Sequence, residues 1–150
     1  MKQCRFLKSA FTLMELLVVI TIIMLLAGLV MGANQAARRR ASVHRAKAEI
    51  AAIDSALSMY EQDMGDYPQG DNKAMIKALT ENESNDANWY GPYIELKEDS
   101  FDENGNYIDP WGVPYKYVYP GQHNKSKYDF YSFGPDRKDD NGGKDDVKNW

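Results

Sequence analysis

Asp136, Asp139, Asp140, Asn141, Asp145 and Asp146 fall within eleven residues. Carboxylate and amide oxygens gathered in one loop suit a hard divalent cation, which also takes backbone carbonyls as ligands. On composition alone the stretch reads equally well as a solvated acidic loop. An EF-hand frame does not fit. Counting back from Gly142 puts Arg137 at its first ligand position, and a frame on residues 100–111 begins at Ser100 and ends at Trp111.

The second residue with chemistry is Glu15. It is the only ionisable side chain in the 21 residues 11–31. A carboxylate within a bilayer-spanning helix costs at least about 2–3 kcal/mol and normally has a partner. No Lys or Arg lies in that stretch. A cut between Ala10 and Phe11 would create an α-amino group four residues from Glu15, on its own or a neighbouring chain. Catalysis has little support. The one cysteine, Cys4, precedes that cut, and His44 and His123 lack the spacing of a nucleophilic or metal site.

These groups need elements to position them. Residues 11–31 match a hydrocarbon layer of about 30 Å at about 1.5 Å rise per residue. Helical patterning then continues, because Val43, Ala46, Ile50, Ile53, Leu57, Tyr60 and Met64 alternate steps of three and four. Arg45, Lys47, Glu49, Asp54 and Glu61 occupy the other faces. The spacing predicts one helix from about residue 11 to about 63, closed by Gly65 and Pro68. A short helix is expected over residues 71–79, capped by Asp71 or Asn72. Residues 115–119 and 129–133 are β-prone and form a hairpin through Pro120-Gly121. Asp109-Pro110-Trp111-Gly112 reads as a turn with an aromatic anchor. Trp111, Tyr115, Tyr117 and Tyr119 are expected to supply most of the bulk of a small core.

The formal charge of −4 becomes −7 when Lys2, Arg5 and Lys8 leave with residues 1–10. An acidic balance argues against nucleic acid as the main partner. Arg38-Arg39-Arg40 reads as a membrane-face anchor or a contact to acidic neighbours. Without Cys4 the remaining chain has no cysteine, so a disulfide is not available to fasten a small domain.

Lys8-Ser9 followed by Ala10-Phe11-Thr12-Leu13-Met14-Glu15 resembles the processing motif of type IV pilins and pseudopilins. The resemblance implies cleavage before Phe11 and its N-methylation by a membrane-embedded prepilin peptidase. It also implies that Glu15 registers each subunit against its neighbour's N-terminus. Ala10 stands where that family usually has glycine, and Gly32 where it often has proline. Five further stretches resemble, in order, the major pseudopilins of type II secretion systems. They are Met59-Tyr60-Glu61-Gln62-Asp63-Met64-Gly65-Asp66-Tyr67-Pro68, Trp89-Tyr90-Gly91-Pro92-Tyr93-Ile94, Asp109-Pro110-Trp111-Gly112-Val113-Pro114-Tyr115, Tyr128-Asp129-Phe130-Tyr131-Ser132-Phe133-Gly134-Pro135-Asp136 and Asp145-Asp146-Val147-Lys148-Asn149-Trp150.

From this resemblance follow further expectations. The fold class is α+β and pilin-like: a long N-terminal membrane-spanning and amphipathic α-helix packed on a small antiparallel β-sheet head. Its parts are a prepilin leader (1–10), a transmembrane part of the helix (11–31), an amphipathic part (32–64) and an α/β globular head with the C-terminal acidic loop (65–150). The implied role is a non-enzymatic subunit that polymerises into the periplasmic pseudopilus of a type II secretion system. The alternative is a subunit of another type IV pilus-like fibre for adhesion, motility or DNA uptake. Implied partners are further copies in a helical homopolymer, the prepilin peptidase, the inner-membrane secretion platform with its minor pseudopilins, and the membrane, but not nucleic acid. Implied placement is the bacterial inner membrane, single-pass, with the head in the periplasm. The family also implies one structural Ca2+ held by the side chains of Asp136 and Asp145, with Asp146, and by the Phe133 carbonyl.

Overall fold

The computed structural model describes the backbone of residues 11–83 and 85–150, and the side chains of all these except 29–34. Helix α1 spans Leu13–Met64 and α2 spans Asn72–Thr80. A 3-10 turn follows at Glu98–Ser100, then strands β1 (Lys116–Val118), β2 (Asp129–Ser132) and β3 (Val147–Lys148). The chain divides into two compact units, Met1–Arg38 and Arg39–Trp150, with the boundary inside α1.

In the first unit, the start of α1 is set by a reciprocal cap. The Thr12 hydroxyl accepts the Glu15 N–H at 3.2 Å, and Glu15 Oε2 accepts the Thr12 N–H at 2.9 Å and its hydroxyl at 2.8 Å. This satisfies two of the amides that every helix start leaves unpaired. From Leu13 to Leu26 the large apolar side chains are exposed on every side of the helix. A helix that is apolar all round is stable only when something covers it. Among the described residues, no helix is long and apolar enough to cross a membrane. The expected span over residues 11–31 runs into side chains outside the described set.

In the second unit, the three-and-four spacing becomes a packed seam. Ala46, Ile50, Ile53, Ala56 and Leu57 are buried, with Val43 and Tyr60 half-buried beside them. Each fully buried Ile or Leu here contributes about 1.5–3 kcal/mol relative to exposure. The same core takes Met75, Ile76 and Leu79 from α2 and an aromatic layer from the sheet side. The expected bulk is partly redistributed in that layer. Tyr115 and Tyr117 are buried, but Trp111 and Tyr119 sit at its edge, and Tyr107, Tyr128 and Phe130 complete it. Tyr115 lies between Tyr107 and Phe130, with ring centroids 5.1 and 4.9 Å away in stacked geometry.

The sheet has the order β1-β2-β3 and is antiparallel throughout. Lys116 pairs with Tyr131 and Val118 with Asp129, which fixes the hairpin register. On the other edge of β2, Ser132 pairs with Val147. This pairing returns the chain after the acidic loop to the sheet.

Polar residues hold the sheet and helices together at defined points. Tyr115, Tyr128 and Tyr93 donate their hydroxyls to Glu49 (2.7 Å), Asp54 (2.7 Å) and Asp63 (2.9 Å), all on α1. Tyr117 donates to the Pro68 carbonyl at 2.8 Å. Asn72 is buried, and its amide spans two chain segments. It donates to the carbonyls of Tyr107 (3.0 Å) and Tyr115 (2.6 Å) and accepts the Tyr107 N–H at 2.9 Å.

Candidate cation site and assembly segment

The acidic loop is built outward from β2. Ser132 ends that strand fully buried, accepts the Gly134 N–H at 3.0 Å and donates to Asp109 Oδ2 at 2.5 Å. Asp109, buried itself, uses its other oxygen to accept the amides of Trp111 and Val113, both at 2.9 Å. The Asp-Pro-Trp-Gly turn is thereby tied to the base of the acidic loop. Gly134 has φ +68°, and a Cβ placed there would lie 2.2 Å from the Asp145 carbonyl oxygen. The two ends of the loop therefore meet at a point that admits only glycine.

Within the loop, Arg137, Asn141 and Lys144 adopt positive φ, which curls the chain back on itself. The curl gathers Asp136, Asp140 and Asp145, whose carboxylate oxygens lie within 4.8 Å of one another. Two oxygens on one ion at Ca2+ bonding distance lie no more than about 5 Å apart, so the spacing fits a single hard cation. An all-oxygen set selects for such ions over zinc or copper. Asp140 Oδ2 and Asp146 Oδ1 are both buried without a hydrogen-bond partner. A buried carboxylate oxygen left unpaired is costly unless a cation completes it. The donor set therefore fits the calcium expected for this loop.

Each expected residue has a definite place. Asp136 and Asp145 join the cluster, and Asp140, absent from the ligand set that the resemblance implies, joins them. Asp146 stands outside the triad. Its Oδ2 accepts the Gly142 N–H at 2.8 Å, and burial holds its carboxyl above the ordinary range. Phe133 precedes the loop, half-buried, its ring tilted against Tyr131. Asp139 is turned away toward the sheet, where it accepts Lys116 Nζ (2.9 Å) and the Tyr131 hydroxyl (3.0 Å). Burial raises the Asp139 pKa, but Lys116, the Asn141 amide and Tyr131 together hold it below the usual carboxylate value.

At the other end of the chain, Phe11 is 79% exposed and Glu15 is engaged by Thr12. Ala10 lies outside the described residues. Glu15 thus has a partner within its own chain, and the Thr-x-x-Glu pattern of residues 12–15 is the sequence signal of that cap. The organising roles of Asn72, Asp109 and Asp129 emerge only in the fold. Asp129 is 2% exposed and gathers the amides of Gln122 (2.6 Å), His123 (2.9 Å) and Asn124 (2.8 Å).

Against this geometry the relatives can be placed. Residues 33–150 match the family described as type II secretion system (T2SS), protein G. The type II secretion system core protein G of Pseudomonas aeruginosa is 38% identical over 149 residues, covering 95% of each chain. The core protein G of Dickeya chrysanthemi is 35% identical over 146 residues, covering 95% of this chain and 86% of that one. A crystal structure of the major pseudopilin from the type 2 secretion system of enterohaemorrhagic Escherichia coli has 26% identity. It covers 77% of this chain and 92% of that chain at a TM-score of 0.48. The chain belongs to the protein G family of type II secretion systems.

Proposed function

We propose that this chain is a structural, non-enzymatic subunit that polymerises into the periplasmic pseudopilus of a type II secretion system. The observation that carries the reading is the contrast between the two units in a chain of this family. The head buries its own core, whereas the apolar side chains from Leu13 to Leu26 are exposed on every side. Such a helix needs a lipid bilayer before assembly and other copies of itself afterwards. In this reading the chain sits in the inner membrane as a single-pass protein with the head in the periplasm. The prepilin peptidase releases residues 1–10, and Phe11 becomes the methylated N-terminus. Glu15 then aligns each incoming subunit on the amine of its neighbour, on the inner-membrane platform and beside minor pseudopilins. Family membership supports the secretion role over another pilus-like fibre.

The acidic loop in this reading holds one structural Ca2+ through Asp136, Asp140 and Asp145, with Asp146 and the Phe133 carbonyl alongside. The ion would neutralise clustered like charges and fasten the return of β3 to the sheet. Asp139 stays with Lys116 and Tyr131 and orients the loop from outside.

Mass spectrometry of the chain from envelope membranes tests the assembly reading. The expected N-terminus is methylated Phe11, and a chain beginning at Met1 in assembled material would refute it. Thermal melting with and without chelator tests the ion. Calcium at a hundredfold excess over its Kd should add about 2.7 kcal/mol to the head. An unchanged midpoint would remove the calcium site and leave the filament reading intact.

A further inference from the structure

Trp150 occupies a position that neither the core nor the acidic cluster requires. Its indole stacks on the His123 ring, with centroids 4.4 Å apart and planes 10° from parallel. The edge of the Tyr131 ring meets it at 5.4 Å and 83°. Lys148 Nζ stands 5.2 Å from its ring centre. Its rim rests on Gly142 so closely that a Cβ there would fall 2.1 Å from Cζ2. The indole therefore touches loop 121–127 through His123 and the acidic loop through Gly142. Among the described residues, no hydrogen bond joins these two loops directly.

Each side of the indole is connected further. On the acidic side, the Gly142 carbonyl accepts Lys148 Nζ at 2.5 Å and its N–H donates to Asp146 Oδ2. The next amide, Gly143, donates to the Asp140 carbonyl at 3.1 Å. Displacing Gly142 therefore disturbs both residues that carry an unpaired buried oxygen. On the other side, the His123 ring nitrogen lies 3.3 Å from Asp129 Oδ2. That carboxylate also fixes the amides of Gln122, His123 and Asn124. Moving His123 therefore loosens the loop that carries the exposed Lys125 and Lys127.

We infer that Trp150 is a latch coupling the acidic loop to loop 121–127, so that closing either loop favours order in the other. Where the acidic loop holds calcium, as proposed above, the ion's presence is transmitted to a lysine-bearing surface about one loop away. Coupling of this kind is reciprocal, because the two loops share one free energy through the indole.

The test uses the full processed chain in detergent micelles, with His123→Ala, Trp150→Ala and the double variant. His123 is exposed, so its replacement empties no core position, and Trp150→Phe provides a ring-retaining control. Hydrogen exchange is read first in chelator. The latch requires His123→Ala to speed exchange in residues 139–146 by roughly two- to tenfold, the worth of one aromatic pair. In the Trp150→Ala background the same change should add nothing. An unchanged rate in His123→Ala, or an effect of equal size in both backgrounds, would overturn the latch. CaCl2 is then added. Protection should spread from residues 134–146 to residues 121–127 in the native chain and in Trp150→Phe, and stop at 146 in Trp150→Ala. Protection of 134–146 alone in the native chain refutes transmission. If CaCl2 protects neither loop in the native chain, the calcium reading fails and the ion-free comparison still decides the latch.

Discussion

Replacing Gly134 by alanine should separate two effects that usually come mixed. Gly134 and Gly112 both have positive φ, +68° and +78°. An L-residue in that region costs about 1–2 kcal/mol. At Gly112 nothing lies within 4 Å of the added methyl group, so Gly112→Ala should lose only that amount. At Gly134 the methyl carbon would meet the Asp145 carbonyl oxygen at 2.2 Å and its carbon at 2.9 Å. Both are backbone atoms that cannot swing aside, and overpacking of this kind adds about 1–3 kcal/mol. Gly134→Ala should therefore cost about 2–5 kcal/mol in all. At about 4–8 °C per kcal/mol for a domain of this size, the midpoint falls by roughly 8–40 °C. Calcium titration gives the second reading. Under the calcium reading proposed above, Gly134→Ala pushes Asp145 out of the cluster and should weaken binding at least about tenfold, while Gly112→Ala leaves it unchanged. Differential scanning calorimetry of the head unit measures the first quantity and isothermal titration the second. Equal midpoints for the two variants would refute the close approach of Gly134 to Asp145.

Other perturbations report on separate parts of the head. Tyr115→Phe and Tyr128→Phe each remove a charge-assisted bond to α1 and should cost about 1.5–3 kcal/mol in urea unfolding, with midpoints moving and slopes unchanged. Burial pushes Tyr107 up to about 12 and holds Tyr115, Tyr117 and Tyr128 higher still. These groups stabilise the fold fully below the unfolded tyrosine pKa of about 10, and the contribution is lost as pH rises through the folded values. Absorbance at alkaline pH should show them ionising together with unfolding, and ionisation before the loss of circular dichroism would contradict their burial. Burial raises the Asp129 pKa, but the amides of Asn124, His123 and Gln122 outweigh it, so its pKa is lowered. Its contribution is present above the unfolded value of about 3.9 and disappears as pH falls through the folded one. Asp129→Ala should flatten that acid limb and speed exchange at residues 122–124, and an unaltered acid limb would show that Asp129 does not carry it.

Much of this architecture was legible because it is local and periodic. The seam from Val43 to Tyr60 was visible as steps of three and four, and the hairpin as two β-prone runs around Pro120-Gly121. Strand β3 was not, because two residues carry no period. Asn72 bonds to residues 35 and 43 positions away, and no local pattern announces partners at that distance. The acidic loop was legible as a candidate, but its converging members were not. Asp140 enters the cluster because Arg137, Asn141 and Lys144 take left-handed backbone, a conformation common for asparagine but rare for arginine and lysine.

The tyrosine–carboxylate bonds to α1 act on the head as a vernier scale. The apolar seam repeats every three or four residues, so by hydrophobicity alone the helix could slip one turn along the head. Glu49, Asp54 and Asp63 do not share that repeat. A slip of four residues sets either Ile53 and Ser58 or Arg45 and Ile50 beneath the hydroxyls of Tyr115 and Tyr128. A slip of three offers them Ala52 and Leu57, or Ala46 and Ala51. No shifted alignment restores both bonds, and each buried hydroxyl left without its partner is penalised. Oil alone would leave the rod free to ratchet, whereas three unevenly spaced acids give it a single stop.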